Sequence, residues 1–357
     1  MSEAYIEEQP TISIQRGRML NKIRQKFQSE DRKRLLENFF SLSVLQGANY
    51  ILPLITLPYL VRVLGPEKFG LIAFAQSFIQ YFNILTDYGF NLSATREISI
   101  HREDKKKVSE IFSAVMLIKC GLLFLSLVIL TIIVSSFNKF KQDWEIYYVT
   151  FGMVVGQVLF PVWFFQGMEK MRYIAILNIM ARLIFTVSIF IFVRKVSDYI
   201  YVPFINSLGS LVAGVWSIWI VFRDFGLRFR LSVEDVGYQL REGGYIFMST
   251  VSYSLYNSTP KFFIGLFIGN VPVAFYSVAE RVIGVLRQAI NIFFRVFYPY
   301  LAKACRKDFK TYAKAWFRLF KFTVCISIIL LLFVLFLPER VFIFVFSVEF
   351  SSALPIL

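Results

Sequence analysis

The chain has 357 residues, 57% of them hydrophobic, with 41 Phe, 18 Tyr and a net charge of +15. A soluble domain is nearer 45–50% apolar; here the excess comes in blocks of about 20 residues, enough to cross a hydrocarbon core of about 30 Å at about 1.5 Å per residue. The three cysteines, Cys120, Cys305 and Cys325, have no second Cys or His at ligand spacing, and the one histidine is His101, which argues against zinc sites, disulfide frameworks or any bound metal. The positive charge clusters beside the apolar blocks, so it reads as membrane topology and not as a nucleic-acid surface.

Residues 1–38 are polar and end in a basic run from Arg16 to Arg34. The stretch is too long and too polar for a signal peptide and lacks a small-residue cleavage site. It is expected to lie on the anionic cytoplasmic leaflet. Spans are then expected at about 39–61, 71–94, 111–137, 146–166, 173–193, 200–222, 245–268, 272–298 and 319–337, with a partial apolar segment at 341–357. The expected fold is an all-α polytopic membrane protein, a bundle of about ten transmembrane helices. With the N-terminus inside, only seven cations fall in outside loops (Arg62, Lys68, Lys139, Lys141, Arg194, Lys195 and Arg340). Six fall within spans, and the other 26 of the 39 Lys and Arg lie inside, the bias that the positive-inside rule requires. The longest internal loops, near 223–244 and 299–318, are too short to fold as separate catalytic domains.

A weak internal repeat is visible. Shifted by 204 residues, Gly269, Ala274, Ser277 and Ala279 fall on Gly65, Gly70, Ala73 and Ala75. Both stretches read as small-residue turns between long helices, and repeats of this kind let two transporter lobes rock around a central site.

Polar residues recur on single helix faces. Span 2 carries Gln76, Gln80, Asn83 and Asp87; span 5 carries Asn178, Arg182 and Thr186; span 7 carries Thr250, Ser254, Asn257 and Lys261; span 8 carries Arg281, Gln288, Asn291 and Arg295, bordered by Glu280 and Arg287. Lys119, Arg182, Lys261, Arg281, Arg287 and Arg295 are the six cations within spans, and six lipid-facing cations would cost on the order of 15–20 kcal/mol. Only Asp87 and Glu280 are available inside the spans to pair with them. The implied site is a water-filled cationic cavity for an anionic solute, lined by Arg182, Lys261, Arg281, Arg287, Asn257, Asn291, Gln80, Asn83 and Asn178, with Asp87 and Glu280 as candidate ion carriers. Lys119 and Arg295, near cytoplasmic ends, are expected to snorkel, and Arg281 is weighed as a local partner of Glu280. Structural interhelical pairing stands as the alternative for Arg182 and Lys261, and the Ser, Thr and Asn of these stripes can serve as interhelical glue. No Walker-type phosphate loop is present, and His101 sits in a basic loop without a paired serine motif, so neither an ATPase nor a hydrolase of its own is expected, and no cofactor.

Two stretches carry a family resemblance. The first holds Leu57-Pro58-Tyr59-Leu60, Arg62-Val63-Leu64-Gly65-Pro66-Glu67-Lys68-Phe69-Gly70, Asp87-Tyr88-Gly89-Phe90 and Ala94-Thr95-Arg96-Glu97-Ile98; the second is Trp163-Phe164-Phe165-Gln166-Gly167-Met168-Glu169. Phe275-Tyr276-Ser277-Val278-Ala279-Glu280-Arg281 matches more weakly. Together these resemble the polysaccharide biosynthesis and export family, with its Wzx-type O-antigen flippases, related to the multidrug and toxin extrusion exporters. The resemblance implies two pseudo-symmetric six-helix lobes, 39–222 and 245–357, joined by a cytoplasmic loop at 223–244, with the second lobe stopping short in this chain. It also implies alternating access and a bacterial inner-membrane location, without enzymatic activity. The substrate expected is a lipid-linked oligosaccharide, held among membrane lipids and passed to a polysaccharide polymerase and chain-length machinery. Export of another lipid-linked precursor or a small molecule by the same fold is the alternative; a membrane glycosyltransferase or polymerase ranks below it.

Overall fold

Unpaired backbone groups are costly in hydrocarbon, so apolar blocks of this length are driven into helix. The computed structural model describes residues 10–230, 232–284, 287, 313, 316–317, 319–325, 328 and 350, and among them are helices and turns but no strand. In chain order the helices are α1 (Pro10–Asp87), α2 (Phe90–Ile100), α3 (Lys105–Ser136), α4 (Asn138–Gln142), α5 (Trp144–Leu159), α6 (Val162–Gly167), α7 (Met171–Phe192), α8 (Tyr201–Asp224, preceded by a 3-10 turn) and α9 (Val233–Phe267). A further run, α10, occupies 270–284. Among the described residues, five stretches are long and apolar enough to cross a membrane: Ile55–Ile100, Lys105–Ser136, Trp144–Gly167, Met171–Phe192 and Val196–Asp224. The fold is that of an all-α polytopic membrane protein. The last four stretches coincide with the expected third to sixth spans. The expected total of about ten rests also on 272–298, 319–337 and 341–357, of which only 272–284, 287, 319–325, 328 and 350 are among the described residues.

Several boundaries differ from the sequence expectation, each for a local reason. Helix α1 begins at Pro10 and runs through the basic segment without a break near residue 38. Its real interruption is Gly65 (φ 68°, ψ 174°), a conformation that suits a residue without Cβ. The expected span at 71–94 is split at Tyr88 and Gly89, both at positive φ. The span at 146–166 is split at Phe160–Pro161, where proline removes a donor. Most of the expected loop at 223–244 is helix, because α9 starts at Val233. The Ser232 hydroxyl caps it by accepting from the Asp235 backbone N–H (3.3 Å), and Glu234 and Asp235 place negative charge in its first turn.

The repeat has a structural counterpart. Gly65 and Gly269, related by the 204-residue shift, are both positive-φ turn glycines between helices. The two turns face each other. Asn270 donates to Glu67 (3.0 Å), and Gly70 lies so close to the Asn270 backbone that any side chain at 70 would collide with it.

Close approach also fixes α5 against α8. Gly152 and Gly156 on α5 meet Ser207, Ser210 and Gly214 on α8; a Cβ on Gly156 would fall 2.5 Å from the Ser210 carbonyl carbon. Small residues four apart let backbones approach where lipid offers no hydrophobic drive, and hydroxyls then bridge them. Ser207 donates to the Val149 carbonyl (2.6 Å) and Ser217 to that of Leu159 (3.1 Å). The Trp163-Phe164-Phe165 motif is fully buried in a second cluster with Ile98, Phe112 and Val221, so this family stretch is packing and not cavity wall.

Helix α9 is fastened to the preceding helices near both ends. At the basic end, Lys107 pairs with Asp235 (2.7 Å), the Tyr238 hydroxyl donates to Glu97 (3.3 Å), and Tyr88 stacks on Phe247 (5.0 Å between ring centroids). At the opposite end, the Lys139 ammonium donates to the Gly265 carbonyl and to that of Leu266 (2.7 Å), satisfying terminal carbonyls of α9. Phe262 stacks there on Phe74 and Phe78. Replacing Gly156 by Leu is expected to lower stability by about 1–3 kcal/mol or more through overpacking against Ser210. Thermal unfolding of the purified protein in detergent checks this; an unchanged transition would show that α5 and α8 can separate freely.

Candidate functional site

Polar groups spaced four and three apart share one helix face, and in a hydrocarbon slab that face turns inward. The faces converge on a cavity of about 970 Å³ between α1, α3, α5, α7, α8, α9 and α10. Gln80, Asn83 and Asp87 enter from α1, Asn178 and Arg182 from α7, Lys261 from α9, Glu280 and Arg281 from α10, and Arg287 from just beyond it. All nine of these sequence candidates therefore line one space. The side chain of Asn257, and Asn291 and Arg295 entirely, lie outside the described residues.

Two of the cations in this cavity have acidic partners. Lys261 is 2.7 Å from Glu280, which joins α9 to α10. Glu280 is thus spent on a residue across the turn and not on its neighbour Arg281, as side chains adjacent in a helix diverge. Lys119 is 3.9 Å from Asp87, whose carboxylate also accepts from the Asn91 side chain (2.6 Å). The snorkelling expected of Lys119 is therefore corrected: the residue is only 2% exposed. The reason is the true start of its helix. Asp104 caps α3 by accepting from the backbone of Lys106 and Lys107, so Lys119 lies about 21 Å into the helix, too deep for its stem to reach the end.

Arg182, Arg281 and Arg287 also line the cavity, and among the described residues none of them has an acidic partner. Arg281 is near enough to Arg182 for their like charges to repel. Two acids therefore neutralise two lysines, and the space keeps three guanidinium groups.

The sequence reading missed Lys119, Gln157 and Asn206 as lining residues. The Asp104 cap was the signal for Lys119. Gln157 and Asn206 are single polar positions in apolar runs, so periodicity could not mark them. Removing one member of a buried pair strands the other charge. Lys119→Met is thus expected to lose about 3–5 kcal/mol of stability, and Lys119→Met with Asp87→Asn to recover most of it, read by thermal unfolding. A double variant as unstable as the single would mean that charge pairing is not what Lys119 supplies.

The model of the family described as "Polysaccharide biosynthesis protein" matches residues 35–305. A protein of Escherichia coli (strain K12), named "Putative O-antigen transporter", is 35% identical over 266 residues, 74% of this chain and 64% of that protein. A protein of Shigella dysenteriae with the same name is 25% identical over 293 residues, 82% of this chain and 74% of its own. The match thus spans less than two thirds of the Escherichia coli relative. No solved structure matches the chain. With the family match covering most of its length, the chain belongs to the polysaccharide biosynthesis protein family.

Proposed function

We propose that this protein translocates an undecaprenyl-diphosphate-linked oligosaccharide, the repeat unit of O-antigen or another surface polysaccharide, across the bacterial inner membrane. The observation that carries the reading is the cluster of Arg182, Arg281 and Arg287 in a shared cavity with no acid assigned to them among the described residues. Like charges facing each other in a low-dielectric space call for an anion between them. A guanidinium offers a planar fork of donors that matches phosphate oxygens. The cavity volume, about 970 Å³, is at the upper end for small-molecule sites, which suits a short glycan head group and not a polymer. The names of both relatives agree with such a cargo.

In this reading the basic ends of the helices face the cytoplasm, with the N-terminus inside. Segments 39–222 and 245–357 act as two lobes that rock about the paired glycine turns at 65 and 269, and 223–244 links them. Asp87 and Glu280, each holding a lysine, are the candidate carriers of a coupling ion. The polymerase and chain-length machinery that take up the flipped unit are the implied partners.

The test is rescue of surface glycan in a flippase-deficient bacterium with a matched repeat unit. The chain is supplied alone and extended at its C-terminus by the corresponding segment of the Escherichia coli relative. Rescue by either form supports flipping; rescue by neither, with the protein in the membrane, overturns it. Within the rescuing form, Arg182→Ala is expected to lower export roughly tenfold or more. Lys261→Ala should lower it as well, and membrane insertion should be intact in both. Wild-type export by both variants would sink the cationic site.

A further inference from the structure

The cavity has two chemically different walls. On one side stand Arg281, Arg287 and the Lys261–Glu280 pair, all from α9, α10 or just beyond. On the other stand seven carboxamides: Gln76, Gln80 and Asn83 from α1, Asn91 from α2, Gln157 from α5, Asn178 from α7 and Asn206 from α8, with the Lys119–Asp87 pair, to which Asn91 donates, closed on itself among them. Among the described residues every lining carboxamide comes from the helices before α9. The walls meet on α7, where Asn178 sits one turn before Arg182.

These side chains differ in what they can hold. A guanidinium only donates, so it suits phosphate. A carboxamide donates from nitrogen and accepts at oxygen, as a sugar hydroxyl does, and carries no charge. Its exposed carbonyl oxygen repels an anion. The Asn83 Oδ1 marks the requirement: it is buried without a hydrogen-bond partner among the described residues, in a side chain only 8% exposed, while the Asn83 amide nitrogen reaches Gln80 Oε1 at 3.4 Å. A buried acceptor left open beside a cavity is a place for a ligand donor.

Building on the flippase reading above, we infer that the carboxamide wall recognises the sugar residues next to the diphosphate and sets which glycan is accepted, while the arginine wall holds the diphosphate of any of them. Arg182 and Asn178, one turn apart, place the seam between the two walls where the sugar–phosphate linkage would lie.

The experiment measures binding to the purified full chain in nanodiscs, using undecaprenyl diphosphate bare and carrying a series of mono- to trisaccharides. The wild-type chain is expected to bind at least one sugar-bearing probe roughly tenfold tighter than the bare one. Asn83→Leu and Gln157→Leu, on different helices, should each cut that preference roughly three- to tenfold and leave affinity for the bare probe within about twofold. Gln157 is exposed to the cavity, so its variant tests the wall even where Asn83→Leu disturbs folding. Equal loss on bare and sugar-bearing probes would overturn the inference, because the amides would then serve the phosphate or the fold. So would a wild-type chain that binds every probe equally. A wild-type chain that binds no probe, bare or glycosylated, would instead remove the flippase reading on which the inference rests.

Discussion

Charge in a hydrocarbon slab is the constraint on which this structure turns. Lys119, Arg182, Lys261, Arg281 and Arg287 sit in otherwise apolar helices, and each would be costly if it faced lipid. The fold's answer is to turn all five toward one internal space. That single requirement sets the rotation of α1, α3, α7, α9 and α10 about their own axes, because a helix with one polar face has only one orientation that keeps the face out of lipid. The two acids are then placed asymmetrically. Asp87 and Glu280 each stand beside a lysine, and the arginines keep their charge available to a ligand.

Holding those faces together requires contacts that lipid does not oppose. Apolar burial supplies little drive between helices in a bilayer, so geometry and hydrogen bonds matter more. The glycines and serines shared by α5 and α8 bring two backbones into contact, and the serine hydroxyls reach carbonyls on the facing helix. Helix α9 is held by a different device, an ion pair and an aromatic stack at one end and the Lys139 ammonium on its last carbonyls at the other. The glycine turns at 65 and 269 lie at that second end, with Asn270 bonded to Glu67 between them. Charge placement and helix attachment are therefore linked: α9 carries Lys261 into the cavity only because its two ends are tied to the helices that supply the opposite wall.

Family membership has to be kept apart from site chemistry. The stretches that carry the resemblance are largely structural in this fold. Trp163, Phe164 and Phe165 are buried packing residues, and Gly65 and Gly70 shape a turn. Much of the cavity chemistry sits elsewhere, on Arg182, Lys261, Gln80, Asn83 and Asn178, at positions that polar spacing picked out because polar groups in apolar runs are rare; Asp87, Glu280 and Arg281 are the charged cavity residues that the resemblance stretches share.

Sequence by itself determined the class of the protein, the positions of the apolar helices and most of the cavity residues. Those properties follow from local rules: length against bilayer thickness, and polar spacing against the helical period. It also showed that two acids had to serve more than two cations, since that is a matter of counting. It did not decide which cation each acid would hold. The pairing of Glu280 with Lys261 and of Asp87 with Lys119 depends on which helices lie side by side, and that is set by contacts between residues far apart in the chain. Helix ends were blurred for a similar reason, as at Val233, where a serine cap and two acids extend the helix well beyond the apolar block. The division of the cavity into a carboxamide wall and an arginine wall was beyond the sequence altogether. Single residues such as Gln157 and Asn206 carry no periodic signal, and only the packing of α5 and α8 against α1 and α7 brings them into one face.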